Sequence, residues 1–315
     1  MKPKLIYIVS PRYSGSTLLS FLFACHPDVA TIGERKKFYT KAIRGPVPGD
    51  TENANQCSCG QPFLECEYWQ DLKNELASRL DESKWNRDFP QFKAFKNKKL
   101  NYFFCRWLES SIARNRRPFW IPGYDRVRKM AETNGELIRI VLEKEGKATF
   151  VDSSKPIRQA IMLSLLDEFE LTIVNLLRDP RAQISSALKY NPWTLEKATQ
   201  NLLDECRLNK RIFQTFPPKK IDLAYETLCR NPELVMNRVF DFCGMTKDVE
   251  FNIRGETRHI MGNAGTRLGT DLKIVERKDW QNRLSESQVA FIGNECQELF
   301  QDLDQFDRSF EDTAK

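Results

Sequence analysis

The sequence has no uninterrupted apolar run of about 18 residues, which leaves no candidate for a membrane-spanning helix. Its N-terminus passes from Met1-Lys2-Pro3-Lys4 straight into a strand-like segment without the apolar stretch of a secretory leader, so the cytoplasm is the expected location. A large charge imbalance is also missing. The 49 Lys and Arg face 43 Asp and Glu, and the net charge of +6 slightly favours anionic ligands without demanding a polyanion, so no nucleic-acid partner is expected. Internal repeats and low-complexity tracts are absent, and histidine occurs only twice. Cysteine is not scarce, but its nine copies are an odd number. Most stand singly in apolar surroundings, as Cys25 and Cys243 do, which suits reduced thiols in a core.

With 315 residues, 41% of them hydrophobic, the chain can bury a large core. Leu5-Ile6-Tyr7-Ile8-Val9 is an apolar, β-rich run that ends in Ser10-Pro11, and 17–24 after it reads as a buried helix. The same strand, loop and helix unit returns at 148–152 before a helix over 156–168. It recurs at 171–177 before a helix starting near Pro180, and a fourth strand at 221–225 precedes a helix over 232–243. Continuously apolar strands alternating with helices predict an α/β fold of the P-loop type, a parallel sheet flanked by helices on both faces. Residues 35–145 differ in character, being rich in charge and Trp, with helical periodicity near 67–83, 100–114 and 126–145. They read as a helical insertion or cap within one domain. The stretch 254–280 reads as a long loop leading to a last helix at 285–301.

Ser10-Pro11-Arg12-Tyr13-Ser14-Gly15-Ser16-Thr17 lies between a buried strand and a helix, where unpaired N–H groups and the helix dipole attract phosphate. The ATP/GTP pattern GxxxxGK[ST] is not met: Gly15 and Thr17 agree, but Ser10 stands at the first Gly and Ser16 at the Lys.

In this order the motifs resemble the sulfotransferase superfamily, in particular the bacterial type and the carbohydrate and tyrosyl-protein enzymes. That family's 5′-phosphosulfate loop has a Pro, a basic residue and Ser-Gly-(Ser/Thr)-Thr before a helix. His26-Pro27-Asp28-Val29 with Gly33-Glu34 is similar to the segment that follows it. Arg178-Asp179-Pro180 through Ser186 resembles its 3′-phosphate motif, an Arg after a strand with a Ser eight positions on. Tyr225-Glu226-Thr227-Leu228 and Gly262-Asn263 through Trp280 resemble further family segments, and the likeness spans 5–34, 148–186 and 220–285. One position departs: Tyr13 stands where the family has its basic residue, and Arg12 is one place earlier. Either Arg12 still reaches the bridging oxygen, because a long guanidinium side chain absorbs a one-residue shift, or another cation serves.

The resemblance implies transfer of a sulfuryl group from 3′-phosphoadenosine-5′-phosphosulfate (PAPS) to a hydroxyl or amine on a small molecule, carbohydrate, lipid or peptide. Arg12, Tyr13, Ser14, Gly15, Ser16, Thr17 and Leu18 would cradle the 5′-phosphosulfate, and Arg178 with Ser186 the 3′-phosphate. Arg267 would touch the donor from the C-terminal loop. Arg12 would neutralise the leaving phosphate and Glu34 would be the general base. His26 is the rival base, although the end of a buried helix suits a capping role. Asp179 and Pro180 also suit a plain helix start. Lys155, ending a strand on the same sheet edge, would face the acceptor or merely solvate the next helix. Cys57-Ser58-Cys59-Gly60 with Cys66 and Trp69 resembles a segment of some bacterial members. Three thiolates so spaced could hold zinc with a fourth ligand, but the usual four-ligand pattern is missing, so the trio reads as free or weakly redox-active thiols and no metal is assigned. A nucleotide kinase, which would want a loop Lys, and a catalytically silent scaffold of the same fold remain the alternatives.

Overall fold

A computed structural model describes residues 2–46, 51–80, 92–114, 116–247, 249–253, 258–269 and 274–311. The strands are β1 (Lys4–Val9), β2 (Val29–Gly33), β3 (Thr149–Lys155), β4 (Glu170–Leu177) and β5 (Lys219–Ala224). They form one sheet in the order β2-β3-β1-β4-β5, and every pairing is parallel. Helix α1 (Ser16–Phe23) follows β1, and α2 (Glu67–Arg79), α3 (Lys98–Ala113) and α4 (Tyr124–Glu145) lie between β2 and β3. Helix α5 (Ile157–Leu163) follows β3, and α6 (Pro180–Tyr190) and α7 (Leu195–Phe213) follow β4. After β5 come α8 (Tyr225–Arg230), α9 (Pro232–Phe242), α10 (Ala264–Arg267), α11 (Glu286–Glu295) and α12 (Gln297–Glu311).

The central strand explains the unbroken apolar runs. Leu5 through Val9 are fully buried, and their side chains alternate between two cores. Leu5, Tyr7 and Val9 pack with residues of α4 and α5, whereas Ile6 and Ile8 pack with α1 and α9. A strand covered on both faces has no solvent side on which polar residues would be favoured. Each fully buried large apolar side chain contributes about 1.5–3 kcal/mol. A third cluster joins α6 and α7 to α11 and α12.

Besides the short helices α8 and α10, two elements have no counterpart among those predicted. β2 is a five-residue strand ending in Gly33, and α7 is a 19-residue helix whose start is capped by Thr194 Oγ1, accepting from Lys197 N at 3.3 Å. Tyr225, predicted to end a strand, instead begins α8. The helix expected over 156–168 stops at Leu163, and that over 285–301 is two helices broken at Cys296. Among the described residues, 35–145 carry the α-helices α2, α3 and α4, and the end of the first predicted one (81–83) lies outside the described residues, as do 254–257 and 270–273 of the long loop. Among the described residues no helix is long and apolar enough to cross a membrane.

Candidate active site

The carboxyl ends of β1, β2, β3 and β4 gather around a cleft of about 530 Å³, where an open parallel sheet reverses strand order and collects ligand groups. Its floor is the turn between β1 and α1. Gly15 takes φ +92°, and a Cβ there would lie 2.3 Å from the Tyr225 ring, so only glycine lets the backbone pass. Tyr13 is also left-handed, at φ +63°. Helix α1 then starts with no side-chain cap, which leaves its first N–H groups for a ligand beside Ser14, Ser16 and Leu18. Thr17 is committed to the fold on one side: its Oγ1 accepts from Asn263 N at 3.0 Å, which ties the C-terminal segment to the loop.

Opposite this floor is a cluster of charge. Glu34 is buried, and its carboxylate pairs with Lys155 Nζ and with Lys37 Nζ at 3.1 Å. Burial alone would raise the Glu34 pKa, but the ammonium groups of Lys155, Lys37 and Lys36 outweigh it and hold the carboxyl far below the ordinary carboxylate range. The Lys36 pKa is also lowered, chiefly by burial, to about 8, which for a lysine favours the neutral form. The groups are positioned by a buried ion pair next door. Arg35 Nε donates to Asp152 Oδ2 at 2.8 Å, Asp152 Oδ1 accepts from Ser154 N at 2.8 Å, and Ser154 Oγ accepts from Lys36 N at 3.0 Å. Lys155 itself adopts φ +82°, at the point where its carbonyl accepts from Ser10 N of the loop.

The third side is the β4–α6 junction. Arg178 stacks over the Tyr225 ring at 4.4 Å and donates from Nη1 to Tyr13 O at 3.0 Å and from Nη2 to Arg277 O at 3.3 Å. Asp179 caps α6, its Oδ1 accepting from Arg181 N at 2.8 Å, and Glu226 Oε1 accepts from Asp179 N. The plain helix start is therefore present, and the junction also lines the cleft. Ser186 lines the cleft, with its hydroxyl donating to Ala182 O at 2.8 Å. Its neighbour Ser185, absent from the predicted set, lines the cleft as well. Ser14 Oγ, Ser185 Oγ and Arg178 Nε are buried and have no hydrogen-bond partner. Unsatisfied buried polar atoms cost about 1–3 kcal/mol each, so three around one cleft fit a ligand rich in acceptor oxygens.

Arg12 and Arg267 are placed differently from the expectation, and His26 takes the capping role that was its alternative to acting as a base. Arg12 lines the cleft, but its guanidinium lies over Trp193 at 5.8 Å and beside Glu205 at 3.9 Å, and the cations at the Glu34 carboxylate are Lys155 and Lys37. Arg267 is not brought to the cleft. It is buried and donates to the carbonyls of Gly262, Gln56 and Asn53, bracing two segments against each other. His26 is remote from the cleft: it is buried edge-on to Phe240, its Nδ1 accepts from Asp28 N, and its Nε2 lies 3.2 Å from Thr246 O. Burial lowers its pKa. The three cysteines lie elsewhere too, and they meet the second histidine, His259.

No protein-family model matches the sequence, and neither does any curated protein. Among solved structures the chain is similar to a sulfotransferase domain from the curacin biosynthetic pathway, with 15% identity over 94% of this chain and 98% of that one, at a TM-score of 0.50. It is also similar to the sulfotransferase STF9 from Mycobacterium avium, with 15% identity over 97% of this chain and 77% of that one, at a TM-score of 0.46. At such identity the likeness is one of fold. The protein has the α/β fold of the curacin-pathway domain, a parallel sheet flanked by helices.

Proposed function

We propose that this protein is a sulfotransferase that moves a sulfuryl group from PAPS to a hydroxyl or amine acceptor. The observation that carries the reading is the set of unsatisfied buried groups, Ser14 Oγ, Arg178 Nε and Ser185 Oγ, around a cleft that also holds a carboxylate flanked by ammonium groups. Two anion-binding corners, the turn at Ser14–Leu18 and the junction at Arg178 with Ser185 and Ser186, suit a donor with phosphate at both its 5′ and 3′ ends. The order of the sequence motifs and the fold support the same reading.

PAPS, when bound, supplies the sulfuryl group; the protein supplies alignment and charge. The α1 N–H groups, Ser16 and Lys155 would neutralise charge on the 5′-phosphate as the bond to sulfur breaks. Glu34 would accept the acceptor's proton, so that acceptor plus donor yields the sulfated product, 3′,5′-diphosphoadenosine and one proton. Held by two lysines, Glu34 is a weak base. Sharing Lys155 with an anion at the turn weakens that hold and restores proton affinity to the carboxylate. A kinase reading lacks support at Ser16, where a phosphate-binding Lys would be required.

The test is transfer of labelled sulfate from PAPS to a panel of sugar, phenol, lipid and amine acceptors. A labelled product that disappears in Glu34→Gln supports the assignment. Tight donor binding with no transfer to any acceptor would favour a silent scaffold.

A further inference from the structure

Four side chains that donate metal ligands meet outside the cleft: Cys57, Cys59 and Cys66, which precede α2, and His259, which precedes α10. Their ligand atoms all lie within 4.8 Å of one another. Cys59 Sγ is 3.7 Å from Cys66 Sγ, and His259 Nδ1 is 3.5 Å from Cys57 Sγ and 3.4 Å from Cys66 Sγ. A tetrahedral zinc ion with Zn–S about 2.3 Å and Zn–N about 2.0–2.1 Å sets the sulfurs about 3.8 Å apart and S···N about 3.6 Å. These three spacings match within a few tenths of an ångström.

We propose that Cys57, Cys59, Cys66 and His259 form a zinc site. With four protein ligands no coordination position is left for water or substrate, so the site is structural. Three thiolates and an imidazole select zinc over magnesium or calcium, which prefer oxygen. The surroundings are built for it. Gly60, at φ +93°, closes a tight turn in which its N–H donates to Cys57 O at 3.0 Å, while Cys57 N donates to Gln61 O at 2.7 Å. Trp69 Nε1 donates to Cys57 Sγ at 3.1 Å, and the Tyr68 ring stacks on the His259 ring at 4.3 Å and 5°. Such outer contacts fix ligand orientation.

The site explains how a distant segment is held over the cleft. Two residues after His259, Met261 donates from its N–H to Ile32 O at 2.9 Å, and its carbonyl accepts from Glu34 N at 3.1 Å. Ile260 N donates to Ser58 Oγ at 2.7 Å, so the metal-binding turn and the segment carrying His259 are joined beside the ion as well. Zinc would thus clamp residues 57–66 to the strip that supports the Glu34 backbone and reaches Thr17 through Asn263. This inference stands on its own geometry and is independent of the proposed reaction.

The experiment reads metal directly. The full chain, purified under reducing conditions without a metal-binding tag or added metal, should carry about one zinc per chain by elemental mass spectrometry. Chelator-stripped chain titrated with Co²⁺ should show thiolate-to-cobalt charge transfer and the strong visible bands of a tetrahedral site. Cys59→Ser and His259→Ala should each weaken Co²⁺ binding by at least about tenfold. If either variant fails to fold, the wild-type metal content and cobalt spectrum decide alone. Wild-type chain that carries no zinc and gives no tetrahedral cobalt spectrum would overturn the proposal. So would full zinc retention in a folded Cys59→Ser/His259→Ala variant, or a Cys59–Cys66 disulfide in the native protein.

Discussion

At Glu34, burial and charge pull in opposite directions, and three neighbouring ammonium groups win. The free protein therefore keeps this carboxylate ionised well below the ordinary carboxylate range, and kcat/KM, which reports the free enzyme, should stay flat down to mildly acid pH instead of falling near pH 6 to 7 as an imidazole base would require. Glu34→Gln keeps size and hydrogen-bonding reach but cannot take a proton, so kcat should fall by roughly 10²–10⁴-fold with donor affinity retained. His26→Gln is the control. Its partners Asp28 and Thr246 are structural, so urea unfolding should register a loss of stability while turnover of the folded fraction persists.

The cations can be ranked in the same way. Lys155 touches Glu34, whereas Arg12 leans on Glu205 and Trp193 with most of its side chain in solvent. Steady-state kinetics should accordingly show a larger loss of kcat for Lys155→Ala than for Arg12→Ala; the reverse order would return the leaving-group role to Arg12. Lys36, pushed down to about 8 by burial, is charged below that pH and neutral above it. Affinity for 3′,5′-diphosphoadenosine, measured by calorimetry, should be level near pH 7 and fall as pH rises through about 8, because a cation facing the anion is lost. That Glu34 and Arg178 reach one cleft was legible in the sequence through motif order. That Lys155 turns onto Glu34 was not, because its direction is set by a left-handed backbone at the strand end.

Among the elements, the turn from β1 into α1 was the most legible, since a fully buried strand and a buried helix leave few ways to arrange the residues between them. Gly15 shows what the turn requires. Gly15→Ala meets both a left-handed φ and the Tyr225 ring, and should cost about 1–3 kcal/mol in chemical denaturation. It should also weaken donor binding, because the turn must open to relieve the clash. β2 is not legible in the sequence because five residues ending in glycine carry little periodicity, and its pairing depends on β3, some 120 residues away. The apolar run 221–225 places Tyr225 at the end of a strand. Its helical start serves the site, placing the ring against both Gly15 and Arg178. The fourth ligand of the cysteine cluster was illegible for a similar reason: His259 is 193 residues from Cys66, and only the fold joins them.

Taken as a whole, the molecule closes its C-terminal segment over the sheet edge through contacts that converge on the same cleft. Asn263 holds Thr17, Arg178 holds the carbonyl of Arg277, and Arg181 stacks on Trp280 at 4.2 Å. A ligand that bridges the β1–α1 turn and the β4–α6 junction would bind the closed, folded chain and not the unfolded one, so binding should appear as stability. The most direct measurement is thermal unfolding with 3′,5′-diphosphoadenosine in EDTA, beside Mg-ATP and beside the Arg178→Ala variant. At about 100 times its dissociation constant the nucleotide contributes about 2.7 kcal/mol, or about 4 °C in Tm for a chain of this length. We expect that shift with 3′,5′-diphosphoadenosine, none of comparable size with Mg-ATP, and a loss of roughly 10–100-fold in affinity in Arg178→Ala, as removal of a charged hydrogen-bond donor implies. Stabilisation by Mg-ATP alone, or by neither nucleotide, would contradict the account.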